Sequence, residues 1–204
     1  VSNGAKPLIE LGFSAIALRI YLFSGLLLHK IVWEALKIRD RKDNLPKKKR
    51  EGGLLKLIKL TKISILAFLV IQTLALNVFP ILEHPGPLRV LGTAIFTLGL
   101  AIAILGRLNL GKNWADLEDY QTLPGQSVVT HGIYRFVRHP IYAGDFLLIL
   151  GLELALNSWL LLGVLFLLIV IIRQSLAEEA VLSRAFPDYE AYRAGTKMFI
   201  PFIY

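Results

Sequence analysis

The chain has 204 residues, 55% of them hydrophobic, a formal net charge of +8 and no cysteine. Its mean hydropathy of +0.58 exceeds what a soluble domain of this length carries, and the missing Cys excludes disulfides, thiolate metal sites and a Cys nucleophile. In a membrane chain Lys and Arg gather in cytoplasmic loops, so the positive charge points to a lipid bilayer partner and no nucleic acid. His29, His84, His131 and His139 lack close ligand spacing, so no metal is expected. No G-x-G-x-x-G occurs, which leaves a Rossmann-type site unsupported.

Leu8 to Leu28 is the first candidate span, close to the roughly 20 residues that cross a bilayer. Arg19 inside it should face helices or water rather than lipid. No small-residue cleavage motif follows the apolar run, so Val1 to Lys6 introduces an anchor rather than a signal peptide. Lys37 to Lys62 then holds eleven Lys or Arg against three acidic residues, including the run Lys47 to Arg50. That asymmetry assigns the segment to the cytoplasm. Lys56, Lys59 and Lys62 recur among leucines, as in a helix passing through the headgroup layer with its amines snorkelling.

Ile63 to Leu82 is 20 residues without a charge and predicts the second span, broken by Glu83-His84-Pro85-Gly86-Pro87. Leu88 to Leu110 is the third. Its Gly92, Gly99 and Gly106 recur every seven residues on one face, which permits close helix approach. Gly111 to Val137 is a 27-residue polar connection with a turn at Pro124-Gly125, too long to serve only as a linker in a compact fold. Ile141 to Leu156 and Trp159 to Ile172 predict a hairpin turning at Asn157-Ser158. The whole stretch from Ile141 to Ile172 is 32 residues where two crossings need about 40, so the hairpin is short or tilted. Asp145 and Glu153 within it should face other helices. The expected fold is an all-α integral membrane protein of about five transmembrane helices, with the N-terminus outside and the C-terminus cytoplasmic. Residues 1–110 supply the N-terminal membrane helices and the basic loop, and 111–204 the catalytic region, within one structural unit.

Two polar clusters flank the hairpin and return to one membrane face. One is the stretch Val129 to Gly144, and the other is Glu178-Glu179 on a helix predicted from Gln174 to Ala185. Neighbours on a helix diverge by about 100°, so the two carboxylates cannot face one ligand alike. Glu179 shares a stripe with Ser175, Leu182 and Phe186, whereas Glu178 aligns with Gln174 and Val181. One carboxylate is expected to bind ligand, and the other to support it or pair with a base.

The pattern Gly132-x-Tyr134-x-x-x-Arg138-His139-Pro140-x-Tyr142-x-Gly144, an apolar hairpin, Glu178-Glu179 and then Phe186-x-x-Tyr189-x-x-Tyr192 resembles the isoprenylcysteine carboxyl methyltransferase family. The wider group includes phospholipid N-methyltransferases. Leu110-Gly111-x-Asn113-Trp114 fits as well, and the resemblance covers about Leu110 to the C-terminus. Phe186-Pro187-Asp188-Tyr189 is one residue shorter than the family's usual spacing.

The resemblance implies an S-adenosylmethionine-dependent integral-membrane methyltransferase with a cofactor pocket on the cytoplasmic side, formed by the C-terminal half. The cofactor would contact Gln126, Ser127, Val128, Val129, Tyr134, His139, Pro140, Ile141, Tyr142 and Glu178. Arg173 is the basic residue that would meet a substrate carboxylate, and Glu179 is the second catalytic candidate. The expected acceptor is the carboxylate of a lipophilic, prenyl-like molecule; a lipid amine or thiol is the alternative, and a scaffold or transporter the non-enzymatic one. Aromatic faces such as Tyr134 and Tyr142 can hold a cationic sulfonium. A carboxylate acceptor is already ionised near neutral pH, so its methylation needs alignment rather than a general base.

Overall fold

The structure, a computed structural model, describes residues 15–43, 53–74, 78–114 and 125–202. Five long helices, α1 (Ala15–Asp43), α2 (Gly53–Leu74), α3 (Gly86–Leu110), α4 (Pro140–Ala155) and α5 (Leu161–Ala185), precede a short α6 (Tyr189–Gly195). Ala15–Asp40, Gly86–Asn113 and Leu161–Ala185 are each long and apolar enough to cross a membrane. At 16 residues, α4 rises only about 24 Å, short of the roughly 30 Å hydrocarbon core. This is an all-α integral membrane fold.

The first two helices depart from the expected boundaries. α1 continues past Leu28 into the basic segment, and α2, starting at Gly53, joins the helix expected over Lys56 to Lys62 to the span that begins at Ile63. Lysine and arginine are good helix formers, so a charge run marks topology without breaking a helix. Phe79 has φ 53° and precedes Pro80, which disfavours helical geometry there; helix therefore cannot run on to Leu82. Residues 1–14, the Lys47 to Arg50 run, Asp116, Glu118, Asp119 and Pro124 lie outside the described residues.

The centre of the fold is the antiparallel pair α3 and α4. A Cβ at Gly92 would collide with the backbone nitrogen of Ala155, and one at Gly99 with that of Leu148. A Cβ at Gly106 would lie 2.9 Å from Ile141 Cγ1. From α4, Gly144 meets Ala103 and Gly151 meets Phe96 in the same way. Each seven-residue step along α3 is thus matched by a seven-residue step back along α4. In lipid, where no hydrophobic drive joins helices, such close packing holds them together.

α1 lies against this pair through Leu18, Leu22 and Leu26, which join Phe96, Leu148, Leu152, Ala155 and Leu156 in one apolar cluster. Leu162, Phe166, Ile169 and Val170 of α5 are exposed, as lipid-facing side chains would be.

At the tight turn between α4 and α5, Asn157 has φ 57°, a conformation asparagine tolerates better than most residues. Its side chain donates to Leu82 O (2.8 Å) and accepts from Leu82 N–H (3.0 Å), tying the turn to the connection before α3. Ser158 Oγ accepts from the backbone N–H of Leu160 (3.1 Å) as α5 begins. Gln72 of α2 donates to Glu153 (2.7 Å) and to Ser158 Oγ (3.3 Å). Both in-hairpin carboxylates face helices: Glu153 meets α2, and Asp145 meets His29 of α1 (3.0 Å).

Candidate active site

Pro140 opens α4 in the first turn, where its missing N–H costs nothing. His139 occupies the preceding cap position without a capping side-chain bond. Its ring turns instead to α5, with Nε2 3.0 Å from Glu179 Oε1. Arg138 Nε donates to the same oxygen (2.7 Å), and Arg138 Nη1 donates to the carbonyls of Arg193 (3.2 Å) and Thr196. Arg193 Nε of α6 lies 3.4 Å from Glu179 Oε2. His139 and Glu179 are each only 4% exposed in their side chains. Such a hub persists only because its charges are paired and hydrogen-bonded.

The C-terminal segment completes the hub. Arg138 N–H donates to Lys197 O (2.8 Å), His139 N–H to Met198 O (3.1 Å), and Lys197 N–H to Phe136 O (3.3 Å). The chain after α6 therefore runs parallel to the Arg-His-Pro stretch and clamps it.

Glu178 behaves differently. Its side chain is 38% exposed. Oε2 accepts from Tyr142 Oη (3.0 Å) and lies 3.9 Å from His139 Nδ1, while Oε1 accepts no hydrogen bond from a described residue. His139 and Tyr142 stack, with centroids 5.5 Å apart. The 100° between the two glutamates thus divides them into a closed carboxylate and an open one.

The polar connection is held to the same end of the α3–α4 pair. Asn109 Oδ1 accepts from Ile133 N–H (3.1 Å), beside Gly132, whose φ of 60° suits glycine. One turn on, Asn113 Oδ1 accepts from Ser127 N–H (2.8 Å), and Asn113 O accepts from Gln126 Nε2 (2.9 Å). Val129 is buried, Val128 half-buried and Ser127 exposed. Arg107, fully buried, donates to Asp40 of α1 (2.6 Å) and to Gly111 O (3.0 Å) and lies over the Trp114 ring. Tyr134 is buried, with its carbonyl accepting from Tyr192 Oη (2.7 Å). Burial first, then the Glu178 charge and Tyr192, push the Tyr134 hydroxyl far above its ordinary value against the pull of Arg107. It stays protonated as a donor.

Of the residues expected from sequence, Tyr134, His139, Pro140, Tyr142, Glu178 and Glu179 converge here, and Gln126 to Val129 are tied to this end through Asn113. Ile141 packs instead against Gly106. Arg173 is not brought in: it is exposed, two positions and about 200° from buried Ser175. Sequence reasoning missed Arg193, Asn109 and the Asp40–Arg107 pair. The two asparagines did carry a signal, being polar residues one turn apart at the end of an apolar helix.

S-adenosylmethionine fits the chemistry of this set. Glu178 Oε1 is an uncommitted acceptor in a half-open position, and the Tyr142 ring lies beside it.

The phospholipid methyltransferase family matches residues 88–189, half of the chain. The nickel-cobalt-cadmium resistance protein NccN of Alcaligenes xylosoxydans xylosoxydans is 32% identical over 106 residues, 51% of this chain and 47% of that protein. The cobalt-zinc-cadmium resistance protein CzcN of Cupriavidus metallidurans is 32% identical over 106 residues, 51% of this chain and 46% of its own. The chain therefore spans about half the length of each of these relatives. The fold is similar to that of the eukaryotic intramembrane Ras methyltransferase ICMT (isoprenylcysteine carboxyl methyltransferase), with a TM-score of 0.56 and 20% identity over 91% of this chain and 68% of that one. With the matched segment taking in α3, the motif stretch, the hairpin and both glutamates, the chain belongs to the phospholipid methyltransferase family.

Proposed function

We propose that the chain is an integral-membrane, S-adenosylmethionine-dependent methyltransferase acting on the head group of a lipophilic acceptor. The observation that carries this reading is the division between Glu179, closed by Arg138, His139 and Arg193, and Glu178, open beside Tyr142. When bound, the cofactor supplies an electrophilic methyl on a sulfonium. Glu178 would accept hydrogen bonds from its amino or hydroxyl groups, bonds of the stronger, charge-assisted kind. The Tyr142 and Tyr134 rings would face its cationic part, and Gln126 to Val129 would border it. Glu179 acts as a positioning residue, fixing His139 and the backbone that starts α4. We place this end of the hairpin at the cytoplasmic face and infer five crossings, with 111–204 forming most of the pocket; the basic segment after α1 supports that orientation.

A lipophilic acceptor would keep its tail among the helices while its head reaches the site, binding that is remote from the chemistry but positions it. The carboxylate version of the reaction would use Arg173 as the receiving fork. Arg173→Lys should then cut turnover of a carboxylate lipid while leaving cofactor affinity unchanged; equal turnover would remove Arg173 from the reaction. The reading as a whole is tested by calorimetry with S-adenosylmethionine on detergent-solubilised protein. Wild type should bind saturably, and Glu178→Ala, Tyr142→Ala and His139→Ala should each bind more weakly while still folding. Unchanged affinity in all three, or no binding by wild type, would overturn it.

A further inference from the structure

α1 presents one continuous inward stripe: Leu18, Leu22, Leu26, His29, Trp33, Leu36 and Asp40, spaced by three or four residues. Leu18, Leu22, Leu26 and Leu36 are buried, and Asp40 ends the stripe on Arg107. His29 interrupts an apolar seam in the middle of a candidate span (Ala15–Asp40). Its Nε2 is 3.0 Å from Asp145 Oδ1, and its ring stacks on Trp33 with centroids 4.2 Å apart.

An imidazole–carboxylate pair inside a span is costly and marks function by default. This pair is also accessible, with side chains 23% and 36% exposed, unlike the sealed Arg107–Asp40 pair further along the same helix. A purely structural tie between α1 and α4 does not call for that access.

Its position matters most. Asp145 lies three residues after Tyr142 on α4, so the two are surface neighbours about 5–6 Å apart. Tyr142 holds Glu178, the open carboxylate. The dyad therefore lies about one helical turn towards the membrane from the candidate cofactor site, where the head of an acceptor arriving from the bilayer would lie.

We propose that His29, oriented by Asp145 and Trp33, is a general base that takes the proton from a lipophilic acceptor arriving with it still attached: a phenol, thiol or ammonium head group. A carboxylate only accepts hydrogen bonds, so Nε2–H donates to Asp145 and the Nδ1 lone pair faces away. No described residue donates a hydrogen bond to Nδ1. In the step, the X–H bond breaks, its electron pair stays on the acceptor atom, and the proton bonds to Nδ1. The imidazolium so formed is held by the Asp145 charge, and the acceptor becomes a nucleophile for the methyl of the bound cofactor. This rests on the methyltransferase reading above and names a different acceptor class from the carboxylate.

The first test needs no cofactor. A long-chain nitrophenol is bound to wild type, His29→Gln and Asp145→Asn in detergent, and its phenolate absorbance is followed against pH. Wild type should ionise the bound phenol at lower pH than empty micelles do, and His29→Gln should abolish the shift while still binding the probe. The second test measures methyl transfer from S-adenosylmethionine to long-chain thiol, amine and carboxylate probes. His29→Gln should lose about 10²-fold or more on the thiol and amine, keep any carboxylate activity, and bind the cofactor as wild type does. Added imidazole should partly rescue His29→Ala. If the phenol ionises equally in wild type and His29→Gln, or all probes lose rate together with cofactor affinity, His29 is a structural contact and the proposal falls. If wild type binds no cofactor, the methyltransferase reading fails as well, which is separable from failure of the base alone.

Discussion

The two ends of the α4–α5 hairpin both carry buried carboxylates, yet they are built on opposite principles. At the turn, Glu153 is satisfied by neutral partners, Gln72 above all, and Asn157 and Ser158 around it are fully buried. At the other end Glu179 is surrounded by two guanidinium groups and an imidazole, and a second carboxylate stands half-exposed beside it. A single carboxylate among amides closes a fold. Paired carboxylates, one neutralised by cations and one left open, leave a charge available for a ligand. The difference in charge and exposure sets the candidate site apart from the turn.

The strongest way to break this contrast is to remove the hub. Glu179→Ala leaves Arg138 buried without its carboxylate, and should cost about 3–5 kcal/mol, read as a large fall in detergent Tm. A Tm within a degree or two of wild type would show that the hub is not structural. Glu178→Ala should do the reverse. Its Tm should hold, while affinity for S-adenosylmethionine falls by about 10–100-fold, as expected for loss of about 1.5–3 kcal/mol of hydrogen bonding to a charged group; calorimetry and thermal melts on one sample distinguish the two.

At the turn, Glu153→Gln should be nearly neutral, within about 1 kcal/mol in either direction. Gln72 Oε1 is buried without a hydrogen-bond partner among the described residues, and the new amide can donate to it. A Tm loss as large as that of Glu179→Ala would mean that the turn needs its acid. Cofactor affinity should not change.

A further effect is confined to high pH. Burial pushes the Tyr192 hydroxyl up to about 12, helped by the Glu179 charge against the pull of Arg138 and a bond with Thr196. An unfolded tyrosine titrates near 10, so the folded state holds this proton more tightly. The stability it contributes is complete below about pH 10 and is lost as pH rises towards 12. Tyr192→Phe should flatten this part of the profile in alkaline melts, and an unchanged slope would contradict it.

Much of the hairpin and its flanks was legible because the code there is local. Pro140 announces a helix start, Asn157-Ser158 a turn, and the 100° rule separates Glu178 from Glu179. The seven-residue spacing of Gly92, Gly99 and Gly106 predicted close approach, and the facing backbone atoms occur on α4. Arg173 came from the resemblance alone, as the basic residue before the acidic pair, and two positions of rotation from buried Ser175 turn it away from Glu179. Long-range partners left no local trace. Asp40 and Arg107, or Met198 and His139, are joined only by the folded path of the chain. The ends of α1 and α2 were harder to read because the apolar runs bound only the spans, while the helices extend beyond them through charged residues that form helix well.

The glycine contacts between α3 and α4 also restrict how the protein can move. Sliding one helix by a single residue would drive a Cβ into the opposing main chain at several levels at once, so the pair behaves as one rod. Asn109 and Asn113, which hold the loop from Gln126 to Ile133, sit at one tip of that rod, and Pro140 and Tyr142 sit beside them. That half of the candidate site is therefore rigid. For the proposed cofactor to enter by a hinge, the hinge would have to lie in the parts packed at that tip: the end of α5 with Glu178, α6, and the strap from Thr196 to Phe199.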